Sequence, residues 1–157
     1  MKRFKFQLET LLKVTRRKKD DAEQKFAEAS RRLEENRERL QILIREMKHG
    51  QDEYAALITG EGKTVTIGVI MTYNTFFNWK RQQIENQQRV ILDCMNEKQK
   101  KLKILMQMMT KLKSIEQLKE KRLREYNEEV LREEQKLLDE LGLQMTMREK
   151  QLGMRNA

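Results

Sequence analysis

Apolar residues in the first third of the chain recur every three or four positions. Steps of four and three from Leu8 pass through Leu12, Thr15, Lys19, Ala22, Phe26, Ala29, Leu33, Asn36, Leu40, Leu43, Met47, Gly50 and Tyr54 to Leu57. Eleven of these 15 positions are apolar. A strand would alternate with period two, so this is the seam of a coiled-coil helix, expected over about residues 5–58. Asn36 on the seam is either a register-fixing device or a tolerated polar interruption. The pattern then breaks: three of the six glycines, Gly60, Gly62 and Gly68, fall within ten residues, and each disfavours a helix interior by about 1 kcal/mol. A loop is expected over about 59–69. From Ile70 a second count of four and three runs through Asn74, Phe77, Arg81, Ile84, Gln88, Ile91, Met95 and Lys98 to Leu102, Leu105, Met109 and Leu112. It continues through Glu116, Lys119, Leu123, Tyr126, Val130 and Leu137 to Met147, with 14 of 23 positions apolar. At Glu116 and Lys119, Ile115 and Leu118 take over the contact. One phase predicts one helix over about 70–148, followed by a flexible tail over 149–157.

Two amphipathic helices joined by a short loop bury their stripes by folding back on each other. The expected fold class is therefore all-α, a long antiparallel two-helix coiled coil (α-hairpin), forming a single domain over residues 1–157. Folding about residue 64 brings the first residues beside positions 125–130. The second helix then outruns the first by about 20 residues, or about 30 Å. Val130, Leu137, Leu138, Leu141, Leu143, Met145 and Met147 carry an apolar stripe along that overhang, and a stripe with no intramolecular partner implies another protein or self-association.

Composition agrees. The 157 residues include no proline, and 38% are charged, against about 25% in ordinary globular domains. Six glycines without proline cannot punctuate a sandwich or barrel. Residues 98–122 hold nine Lys/Arg and two Glu, whereas 125–140 hold seven acidic and two basic residues. Arg16, Arg17, Lys18 and Lys19 form a further basic cluster. Blocks of opposite sign suit solvated helix faces or partners of complementary charge.

The chemistry of a catalytic site is missing. With one cysteine, Cys94, and one histidine, His49, neither an intrachain disulfide nor a zinc site can form. Gly62-Lys63-Thr64 looks like the end of a phosphate-binding loop, but Leu57 stands where that loop needs its first glycine. Exposed carboxylates on helices without a pocket are not tuned as acids or bases. No enzyme activity, cofactor, metal or small-molecule substrate is expected. The basic opening from Met1 to Phe6 is not followed by an apolar stretch, so a secretory signal is not expected. The longest apolar-leaning run, Val65–Met71, is too short to cross a membrane. Met95 and Met109 read as seam fillers, and Met106 and Met108 as outward-facing. Tyr54, Tyr73, Phe76, Phe77 and Trp79 gather about the loop, either as a self-packed cap or as a docking surface, with Phe77 in the core.

The opening Phe4-Lys5-Phe6-Gln7-Leu8-Glu9-Thr10-Leu11-Leu12 resembles the start of the FliJ proteins of the bacterial flagellar type III export apparatus. Tyr73-x-x-Phe76 after the loop is similar to that family, as is the stretch from Arg132 to Leu141 followed by Met147-Arg148. The resemblance implies a stalk: an antiparallel coiled coil similar to the central shaft of the gamma subunit in rotary ATPases. Its helix ends would enter the hexameric ring of the flagellar export ATPase and promote its assembly and activity. Another part would reach the cytoplasmic domain of the membrane export gate, and export chaperones would also bind. The expected location is cytoplasmic, peripherally associated with the inner face of the cell membrane. Leu43, Tyr54 and Phe76 match family positions that face the gate, joined by Tyr73, whereas Lys80 and Gln83 depart from the apolar character expected there. The ATPase-facing set is Leu8, Leu11, Leu12, Arg16, Arg17, Lys18, Lys19, Leu137, Leu138 and Leu141.

Three other readings compete. A net charge of +9 suits nucleic-acid binding by counterion release, but acidic residues interleave throughout and no basic helix runs into a zipper. A generic scaffold would form a stable dimer, whereas a stalk would be monomeric alone. An injectisome stalk would share the architecture.

Overall fold

The computed structural model describes residues 2–60, 62 and 64–156. Met1, Ala157 and, within the loop, Glu61 and Lys63 lie outside them, so the glycine-lysine-threonine reading falls partly outside. Two α-helices, α1 (Glu9–Thr59) and α2 (Ile67–Arg155), account for nearly all of the described chain and pack antiparallel as an α-hairpin coiled coil. Among the described residues there is no strand.

α1 opens four residues later than the expected boundary at about residue 5. Residues 2–6 have no regular secondary structure, and the first helical contacts are donated by the Glu9 amide to Phe6 O and the Leu12 amide to Leu8 O. α2 opens three residues early because Thr66 caps it. The Val69 amide lies 3.4 Å from Thr66 Oγ1, and the Val69 and Ile70 amides reach Thr66 O. Between the helices Gly62 takes φ +79°, a left-handed conformation that glycine adopts without a Cβ clash. The far end of α2 runs on to Arg155, whose charge suits the negative end of the helix.

The chain divides into two compact units, Met1–Arg17 with Met109–Ala157, and Lys18–Met108. In the first unit Leu12 and Thr15 are fully buried against α2, where Ile115 is the buried counterpart. In the second, Ala22, Ala29, Leu33 and Asn36 of α1 meet Phe77, Lys80, Cys94 and Leu105 of α2. Every seam position counted on α1 from Leu12 to Leu57 is buried or half-buried.

From Asn74 to Leu112 only alternate counted positions of α2 face the seam. Phe77, Ile84, Ile91, Lys98, Leu105 and Leu112 are buried or half-buried, but Asn74, Arg81, Gln88, Met95, Leu102 and Met109 are exposed. Their places are taken by the residue immediately before each: Tyr73, Lys80, Gln87, Cys94, Lys101 and Met108. Met108 is therefore a seam residue and not an outward one, and Met95 and Met109 are not fillers.

One seam layer is polar. Asn36 Nδ2 donates to Arg32 O at 2.7 Å and lies 3.6 Å from Cys94 Sγ. Gln87 Nε2 donates to Asn36 O at 2.9 Å and to Asn36 Oδ1 at 3.0 Å. Asn36 thus has partners for its side-chain donors and acceptor, and those from α2, Gln87 and Cys94, exist in one alignment of the helices only.

Candidate partner-binding surfaces

The first unit carries a hook and a free helix. The residues before α1 lie against α2, with the Phe4 and Tyr126 rings 5.5 Å apart and Tyr126 Oη donating to Lys2 O at 2.8 Å. Lys119 Nζ donates to Glu9 at 2.9 Å, and Arg16 pairs with Glu116 at 3.5 Å. The hydrogen bond from Lys119 holds the Glu9 carboxyl below its usual range, with Lys13 and Arg16 adding to the effect. Leu8 and Leu11 remain exposed. Leu12, at 0% exposure, is seam core and has no surface to offer a partner, contrary to its place in the expected ATPase-facing set. Arg17 is exposed.

Val130 is the last half-buried residue of α2, and every residue from Leu131 to Asn156 is exposed. The overhang begins at Leu131, a few residues later than counting suggests: Val130, expected on the uncovered stripe, is half-buried, and Tyr126 lies beneath the residues before α1. Leu137, Leu138 and Leu141 all lie on this free stretch, Leu138 at 61% exposure.

In the second unit, Lys18 is exposed, while Lys19 is half-buried and turned to Glu23 at 2.9 Å, whose carboxylate raises the ammonium's pKa, with Asp20 contributing. The structure brings Tyr54, Tyr73 and Phe76 together about the buried Phe77, with ring centroids 5.2–6.1 Å apart. Leu43 is half-buried further along the seam. Beside the cluster lies a groove of about 460 Å³ lined by Gly50, Tyr73, Phe76, Trp79 and Lys80, with Glu46, His49 and Glu53 along its α1 side.

Gly50 makes the groove possible. A Cβ there would sit 2.5 Å from Phe76 Cε1, so the ring rests directly on the α1 backbone. Trp79 is 55% exposed and supplies the open wall. Lys80 is not a surface residue. Its side chain is 7% exposed, ion-paired with Glu46, with Nζ 5.3 Å from the Trp79 ring and 5.8 Å from Phe76. Gln83 Oε1 is buried without a hydrogen-bond partner among the described residues. The heptad count puts Arg81 on the seam and leaves Lys80 at an outer position; the structure reverses them, because Glu46 takes Lys80. Gly50 was legible only as a small residue on a seam.

Among the described residues no group of three or more His, Cys, Asp or Glu could hold a metal ion, and no helix is long and apolar enough to cross a membrane.

The family model for the flagellar FliJ protein matches residues 4–151. Among solved structures, CT670 of Chlamydia trachomatis, assigned there as a YscO homolog, superposes with a TM-score of 0.72 at 20% identity, over 95% of this chain and 99% of that one. At that identity the likeness speaks for the fold alone. No curated protein matches the sequence.

Proposed function

The chain belongs to the FliJ family of flagellar proteins, and from that premise we propose that it is a non-enzymatic stalk of the flagellar export apparatus, joining the export ATPase ring to the membrane export gate. The observation that carries the reading is the free stretch of α2. From Leu131 onward an apolar stripe has no partner among the described residues, and large exposed apolar surface marks an interaction site. On this reading Leu8, Leu11, Leu137, Leu138 and Leu141 face the ATPase ring, with Arg16, Arg17 and Lys18 adding positive charge at its entrance. Such exposed charges contribute about 0.2–1 kcal/mol each. A slender helix seated in a hexamer biases subunit contacts, so a part without chemistry of its own raises assembly and turnover.

The aromatic groove supplies the second contact, to the cytoplasmic domain of the gate. Tyr54, Tyr73 and Phe76 are anchored by Phe77 and Gly50, and Trp79 adds an exposed indole. Aromatic anchors of this kind contribute about 2 kcal/mol or more each when desolvated. The protein would work in the cytoplasm at the inner face of the membrane, and export chaperones would share its exposed helix faces. The flagellar setting follows the family.

The test separates the two contacts. Leu138→Asp should weaken binding to the purified export ATPase and its stimulation while sparing the gate domain; Phe76→Ala should do the reverse, with helix content checked by circular dichroism. If adding the wild-type protein changes neither hexamer formation nor ATP turnover, the stalk reading fails. If both folded variants lose the same partner, the assignment of surfaces is wrong.

A further inference from the structure

The free stretch of α2 is complementary to itself when read in the opposite direction. Leu131, Glu134, Leu138, Leu141, Met145, Arg148 and Leu152 fall on alternating steps of three and four, and all are exposed. This is a heptad seam with one acidic and one basic member, placed nearly symmetrically about Leu141. We infer that two copies of the chain associate through this stretch, antiparallel, with Leu141 of each near the two-fold axis.

In that arrangement Leu131 and Leu138 of one copy run beside Leu152 and Met145 of the other. Glu134 comes within about one helical turn of the second copy's Arg148, twice over by symmetry. A parallel pairing would instead set Glu134 against Glu134 and Arg148 against Arg148. The wider charge agrees. Residues 125–140 hold seven acidic and two basic residues, whereas 142–156 hold Arg148, Lys150 and Arg155 against Glu149 alone. Neither Glu134 nor Arg148 has an ion-pair partner among the described residues.

Gly142 fits that pairing. It sits inside a helix, where glycine is disfavoured, and beyond its chain neighbours and the backbone of its own helix nothing lies within 4 Å of where its Cβ would be. A missing side chain beside the axis lets a second helix approach closely. The inference does not depend on the ATPase contact. If both hold, self-pairing and ring binding compete for one stripe.

The paired length, about three heptads with two polar seam positions, is short for a coiled coil. The dimer is therefore weak, with a dissociation constant on the order of 100 μM, and the chain is monomeric when dilute. Sedimentation equilibrium on the full chain should show a reversible monomer–dimer equilibrium. Glu134→Arg and Arg148→Glu should each weaken it by about five- to thirty-fold, and Leu138→Asp should abolish it, with helix content unchanged in all three. The double variant E134R/R148E should restore most of the wild-type association. A chain that stays monomeric at 1 mM, estimated as about ten times that constant, overturns the inference. So does a double variant no better than either single one, since that places the contact elsewhere or in a parallel sense.

Discussion

Asn36, Gln87 and Cys94 show how much one polar layer decides in a seam only two helices thick. Replacing Asn36 by Ala removes two donors and an acceptor at once and should cost about 1–3 kcal/mol in urea unfolding. Leu105 and Leu102 make a second comparison. At 8% and 36% exposure, Leu105→Ala should cost about 2–3 kcal/mol and Leu102→Ala about 1, although the sequence count treats them as equals. The Lys80–Glu46 pair should be asymmetric. Glu46→Ala strands a buried ammonium and should cost about 2 kcal/mol or more, whereas Lys80→Met leaves a half-exposed carboxylate that water can reach and should be near neutral. If the two cost the same, burial of Lys80 is not what sets the balance.

The two helices differed in how legible they were. α1 places an apolar or small residue at nearly every seam position and polar ones beside it, so counting alone finds its inner face. α2 sets rivals side by side: Tyr73 and Asn74, Lys80 and Arg81, Cys94 and Met95, Lys101 and Leu102, Met108 and Met109. Periodicity cannot choose within such pairs. The choice is made across the interface, where Glu46 takes Lys80 and Asn36 takes Gln87. The overhang was legible because it follows from lengths, while the groove was not, because Phe76 needs Gly50 opposite it. The hook before α1 has its own prediction. Lys119 holds the Glu9 carboxyl below its normal value, so the stability it contributes is present above the unfolded carboxyl's pKa and is lost as pH falls through the folded one. Acidification below about pH 4.5 should loosen Phe4 from Tyr126 before the helices melt. Tyr126 ring resonances followed by NMR should move in that range, and Glu9→Gln should make them insensitive to it.

For the chain as a whole, local opening should be graded. Amide exchange should be slowest about Leu33 and Asn36, which pack inside the seam, and fastest beyond Leu131, where hydrogen bonds within one helix are the sole protection. Uniform exchange along α2 would contradict the solvated overhang. The polar layer has one more consequence. Because Asn36, Gln87 and Cys94 fix how α1 and α2 align, the turn between Thr59 and Ile67 is relieved of that duty. Lengthening it by two residues after Gly62 raises the closure entropy by only about 0.2–0.3 kcal/mol. A short peptide tag should therefore be carried there without shifting the helices, whereas the same two residues inserted between Asn36 and Met47 would force every layer from there to the turn out of step.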